Sequence, residues 1–69
     1  MFTRKIAEVI GDGRGMFLAQ VAENGEYRCW YLNCEDVSRF RLREHNEIVI
    51  ECGPGDRFCR VVQVGFPEA

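Results

Sequence analysis

Sixty-nine residues, 46% hydrophobic and 29% charged, have the composition of one ordinary globular domain. Its core is near the lower practical limit, since a chain of this size buries only about 60% of the surface its unfolded state exposes, which excludes a large enzyme cleft. A formal charge of −2 counts against binding nucleic acid by bulk electrostatics, because such binding scales with the number of phosphates neutralised.

No apolar run reaches the length of a membrane helix, and the start Met1-Phe2-Thr3-Arg4-Lys5 lacks the apolar core of a signal peptide, so no membrane association and a cytoplasmic location are expected. Ile6-Ala7-Glu8-Val9-Ile10 carries apolar residues on both phases, as a strand covered on one face and partly on the other does. Gly11-Asp12-Gly13-Arg14-Gly15 places three glycines in five residues and predicts a turn. A phosphate-cradling loop needs a following helix, and no helical period follows. In Met16 to Val21, the phase Phe17, Ala19, Val21 is apolar throughout and is expected to face inward, with Leu18 outside.

Asn24-Gly25, between this run and Tyr27 to Asn33, predicts a tight hairpin, because both residues tolerate the positive φ that a type I′ turn requires. In Tyr27 to Asn33 the alternation separates Arg28, Trp30 and Leu32 from Tyr27, Cys29 and Tyr31; whichever set faces solvent, aromatic residues are exposed. Glu35-Asp36-Val37-Ser38 suits a short helical turn. Arg39-Phe40-Arg41-Leu42-Arg43 alternates strictly, and in an extended chain it places three arginines on one side, either as a solvated edge or as a basic strip beside the aromatic face. Ile48 to Cys52 is a β-branched strand, Gly53-Pro54-Gly55-Asp56 a turn, and Arg57 to Val64 the last strand, after which Gly65, Pro67 and an acidic end stop the chain.

Five short strands with one irregular connection between the third and fourth fit most economically a five-stranded all-β OB-fold barrel over residues 1–69, with an SH3-like barrel as the alternative. The four cysteines fall at C-x4-C-x17-C-x6-C. Structural zinc ligands usually come in closer pairs, so buried free cysteine is the favoured reading of Cys52 and Cys59, which point into the core across a hairpin; zinc and a cross-strand disulfide are the alternatives.

Ala7-Glu8-Val9-Ile10, the turn Gly11-Asp12-Gly13-Arg14, Met16-Phe17, the hairpin Glu23-Asn24-Gly25 and the strand Glu47 to Glu51, taken in order, resemble the small OB-fold translation initiation factors: bacterial initiation factor one and the core of archaeal and eukaryotic initiation factor one-A. The resemblance spans residues 6 to 64. Around Cys29-Trp30-Tyr31-Leu32 the chain is also similar to cold-shock domains, which carry a base-stacking aromatic motif there. The match implies a core phase of Trp30 and Leu32, with Tyr27 and Tyr31 on the outer face where such domains contact RNA. Tyr31 stands where the initiation factors usually have a histidine. The acidic Asn33-Cys34-Glu35-Asp36 replaces their glycine and basic run.

Two functions follow as expectations. In the first, a non-catalytic domain binds single-stranded RNA or the ribosome, Tyr27 and Tyr31 stacking bases while Arg14, Arg39, Arg41, Arg43 and Arg57 meet phosphates. Arginine outnumbers lysine eight to one, and its planar fork suits phosphates and base stacking, although a compositional habit of the genome gives the same ratio. In the second, an OB scaffold serves as a protein-interaction or inhibitor module, as the acidic balance and exposed aromatics suggest. No catalytic residue, cofactor or metal site is expected. The lone His45, in Glu44-His45-Asn46-Glu47, lacks metalloprotease spacing and reads as a solvated turn residue.

Overall fold

The computed structural model describes residues 2–65. Pro67 and the acidic end, expected to stop the chain, lie outside the described residues. The elements run β1 (Thr3–Gly11), β2 (Phe17–Glu23), β3 (Glu26–Tyr31), α1 (Cys34–Phe40), β4 (Glu47–Gly53) and β5 (Arg57–Val64). The strands make one antiparallel sheet in the order β3-β2-β1-β4-β5, so β1 is the middle strand and borders two hairpins. The expected closure into a barrel is not made by the backbone: among the described residues β3 and β5 share no ladder, and the Arg28 and Trp30 side chains of β3 bond Asp56 in the turn before β5.

Local chemistry accounts for the turns. Asn24 and Gly25 take φ of 51° and 78°, the two positive values that a type I′ turn demands, and Glu23 pairs with Glu26 across them. At the β1–β2 turn the Asp12 carboxylate accepts from the backbone N–H groups of Arg14 (2.6 Å) and Met16 (3.1 Å), doing the work of a turn without a helix.

Asn33 caps α1 by accepting from the Glu35 N–H at 2.8 Å, and Glu35 and Asp36 in the first turn favour the positive helix end. The helix then runs through Phe40, which corrects the extended reading of Arg39 to Arg43. Arg41 adopts the left-handed conformation at φ 51° and ψ 50°, its N–H donating to the Ser38 carbonyl, while the Leu42 N–H reaches the Val37 carbonyl at 3.0 Å. That pair of bonds reverses the chain and satisfies orphan carbonyls at the helix end. Phe40 and Leu42 therefore reach the core from opposite sides of a reversal, and the three arginines share no extended face.

The core is a single cluster. Val9, Ile48, Ile50 and Cys52 are wholly buried, with Ala7, Ala19, Val21, Leu32, Leu42 and Val61 around them, and Phe17, Trp30, Val37 and Phe40 packed at its margin. Burial of each large aliphatic side chain is worth about 1.5–3 kcal/mol. The inward phases Phe17, Ala19, Val21 and Trp30, Leu32 are those expected. The favoured reading of the cysteines is corrected: Cys52 and Cys59 form a disulfide between β4 and β5, and Cys29 and Cys34 are free and exposed. Glu51 pairs with Arg60, but two residues on Gly53 pairs with Arg57. The extra residue is Phe58, which bulges from the ladder at φ 55° and is 93% exposed.

Candidate functional site

The outer face of the sheet carries the candidate residues. On β3 the side chains of Tyr27, Cys29 and Tyr31 all point outward, across from Ala22, Gln20 and Leu18 on β2. Tyr27 is 71% and Tyr31 64% exposed. On β1 the same face holds Ile6 and Glu8, and on β4 Glu47 stands opposite Glu8. The face thus has three rows: an apolar one through Tyr27 and Ala22, with Ile6 beside them in one groove, a polar one through Cys29, Gln20, Glu8 and Glu47, and an apolar one through Tyr31, Leu18 and Ile10. Ile6, Glu8, Gln20, Ala22, Tyr27 and Glu47 line a shallow groove along it.

The candidate arginines divide by location. Arg14 sits in the β1–β2 turn, at the Tyr31 end of β3, where the Leu32 N–H donates to the Phe17 carbonyl at 2.9 Å. Arg57 opens β5 beside Asp56, and Asp56 reaches β3 directly: its carboxylate takes the Arg28 guanidinium at 2.5 Å and its carbonyl takes the Trp30 indole N–H at 3.1 Å. Arg39 lies on α1 and shares a groove with Asn33, Phe40, Arg60 and Val62, while Arg41 and Arg43 follow the helix. The structure therefore sets Arg14 in a turn and Arg57 at the start of β5, both next to β3, and leaves Arg39, Arg41 and Arg43 with α1.

Ion pairing separates the arginines further. Arg4 and Arg60 both hold Glu51, and Arg28 holds Asp56 and Glu23. Among the described residues, none of Arg14, Arg39, Arg41, Arg43 and Arg57 has an acidic partner. The paired arginines are on strands, and of the unpaired ones only Arg57, at the very start of β5, is on a strand, so most of the free positive charge lies off the sheet.

Some features of the site escaped sequence reasoning. Lys5 pairs with Glu23 and Asp56 and lies 5.7 Å from the Trp30 ring, and Arg28 lies 5.0 Å from the same ring, so a cation–π pair covers the indole at the seam. The shared phase of Arg28 and Trp30 was the available sign. Asp56 has its carboxyl held below the usual range, by the hydrogen bond from Arg28 first and by Lys5 as well. Glu51 is lowered by the hydrogen bond from Arg60, with Arg4 adding to it. His45, in a turn at φ 73°, bonds Glu8 at 3.0 Å, and that bond raises its pKa, helped by the charges of Glu8 and Glu44. Phe58 is the second omission: a fully exposed aromatic beside Arg57, announced by nothing in the sequence because the bulge that turns it outward depends on register.

No protein-family model matches this chain, nor does any curated protein or solved structure. Among the described residues no helix is long and apolar enough to cross a membrane, and no group of three or more His, Cys, Asp or Glu is placed to hold a metal ion.

Proposed function

We propose that this chain is a non-catalytic, cytoplasmic, single-stranded RNA-binding domain on an OB-type scaffold, resembling a translation initiation factor or cold-shock domain. The sheet order with β1 between β2 and β4, and the helix between β3 and β4, are compatible with an OB scaffold whose β3–β5 seam is held by side chains. The observation that carries the reading is the pair of exposed tyrosines on one face of β3, flanked by the unpaired Arg14 in the β1–β2 turn and Arg57 at the start of β5. Stacked tyrosines bind any base face, and unpaired guanidinium groups meet phosphates without first breaking an ion pair.

The test is a titration with a short single-stranded RNA at low and moderate salt, followed by backbone amide NMR. Shifts gathered on Tyr27, Tyr31, Arg14 and Arg57 that fade with salt are expected. Tyr31→Ala should lose about 1–3 kcal/mol of binding, roughly 5- to 150-fold, with the fold intact. Unchanged affinity in that variant refutes the assignment.

A protein-interaction module is the second reading, favoured by the carboxylates of Glu8 and Glu47 between two apolar rows on the same face as the tyrosines. Absence of RNA shifts at low salt turns the conclusion to this reading.

A further inference from the structure

The two edges of the sheet are treated differently. On β5 the Val61 N–H, which points away from β4, is taken by the Asp36 carboxylate at 3.2 Å, and the β4–β5 ladder carries register shifts beside Val49 and Glu51. An occupied N–H and bulges are devices that keep an edge strand from recruiting another chain. β3 has neither. It contains no proline, lysine or bulge, and its ladder with β2 runs unbroken from Leu18–Tyr31 to Glu23–Glu26.

The ladder's phase fixes which groups are open. Because the Leu32 N–H donates to Phe17, alternation turns the backbone of Trp30 and Arg28 toward β2 and that of Tyr27, Cys29 and Tyr31 toward the free edge. Among the described residues no hydrogen bond engages the outward N–H or C=O groups of these residues.

We propose that this edge joins two copies of the chain, with β3 pairing antiparallel to β3 of the second copy about a two-fold axis at Cys29. In this register Cys29 faces its own counterpart and Tyr27 faces Tyr31 of the second copy. Each pair exchanges both N–H···O bonds, so every open group on the edge finds a partner. Axes at other residues of the strand leave some of these groups unpaired. The side chains agree with the register. Tyr27 meets a tyrosine on the outer face, and no like charges are opposed. The match is one that β3 makes with its own copy, and the proposal is independent of whether the outer face binds RNA. One strand pair is a small contact, so the dimer is weak and concentration-dependent.

The test is sedimentation equilibrium and amide hydrogen exchange on the full chain, with Cys29→Ser and Cys34→Ser preventing covalent links. The mass is expected to rise from 8.0 kDa toward twice that value between micromolar and millimolar concentration. Over the same range, exchange should slow at residues 27, 29 and 31. Cys29→Pro, with Cys34→Ser, removes an N–H that β2 does not use, so it should keep the fold and abolish the mass increase. A mass fixed at 8.0 kDa at millimolar concentration overturns the proposal. So does exchange at residues 27, 29 and 31 that is independent of concentration, or a folded proline variant that still dimerises. The exchange measurement decides the matter if the proline variant fails to fold.

Discussion

Replacing Arg41 with glycine should stabilise the domain while removing a candidate phosphate contact. Arg41 ends α1 at φ 51°, where glycine is the usual occupant. The left-handed conformation costs an L-residue about 1–2 kcal/mol. Glycine avoids that cost but gives back about 0.4–1 kcal/mol through the greater freedom of the unfolded chain. The net gain is about 0.5–1 kcal/mol, which in a domain of this size moves Tm up by about 2–8 °C. Circular dichroism on heating, with a urea midpoint as a second measure, reads the effect. Arg41→Ala is the control, since it removes the same charge and keeps the strained backbone, and it should fall within about 0.5 kcal/mol of the parent. Both variants lose the same charge, while only glycine raises Tm. A glycine variant that melts at or below the alanine variant refutes the reasoning, because it means that the helix does not end through a left-handed residue.

The Cys52–Cys59 disulfide closes a loop with a sequence separation of 7, for which loop-closure entropy gives about 2.4 kcal/mol of stabilisation. Reduction, or the double Cys→Ser variant, should lower the urea midpoint accordingly, and identical midpoints with and without reductant count against the bond. For His45, whose pKa is raised in the fold, the Glu8 pair contributes fully below the unfolded value of about 6.5 and is lost as pH rises through the folded value. Glu8→Gln should therefore lower Tm more at pH 6 than at pH 8.5, and should bring the imidazole NMR titration down toward the ordinary value. Superimposable titrations in the two proteins would show that the pair does not form.

The strand phases and the Asn24-Gly25 hairpin were legible because each is governed by neighbours in sequence: two residues that tolerate positive φ, and an alternation that sorts Ala19 and Val21 from Gln20. The start of α1 was legible for the same reason, through Glu35 and Asp36. Its end was not. Apolar residues two apart, Phe40 and Leu42, suit an extended strand as well as a helix end reversed at a non-glycine residue, and arginine gives no sign of the latter. The disulfide was one of three open readings because Cys52 faces Cys59 only if the ladder keeps the Glu51–Arg60 register up to that point, with the bulge falling after it at Phe58. At the site, exposure of Tyr27 and Tyr31 followed from the resemblance. The division of arginines into paired and unpaired did not, since it rests on contacts such as Arg4 with Glu51 that only the assembled sheet creates.

The position of β1 in the sheet has a consequence for synthesis. Its partner on one side, β2, follows at once, but its partner on the other is β4, with the third residue of the chain paired to the fifty-second. The most deeply buried side chains of β4, Ile48, Ile50 and Cys52, also come late. A chain emerging at about 5–20 residues per second takes roughly 2–8 s to pass from the end of β1 to the end of β4. Throughout that interval β1 to β3 form a meander without the far wall of its core, and the N-terminal half of β1 offers an open edge to any other nascent strand. Folding of this domain is therefore deferred until its C-terminal hairpin has been made.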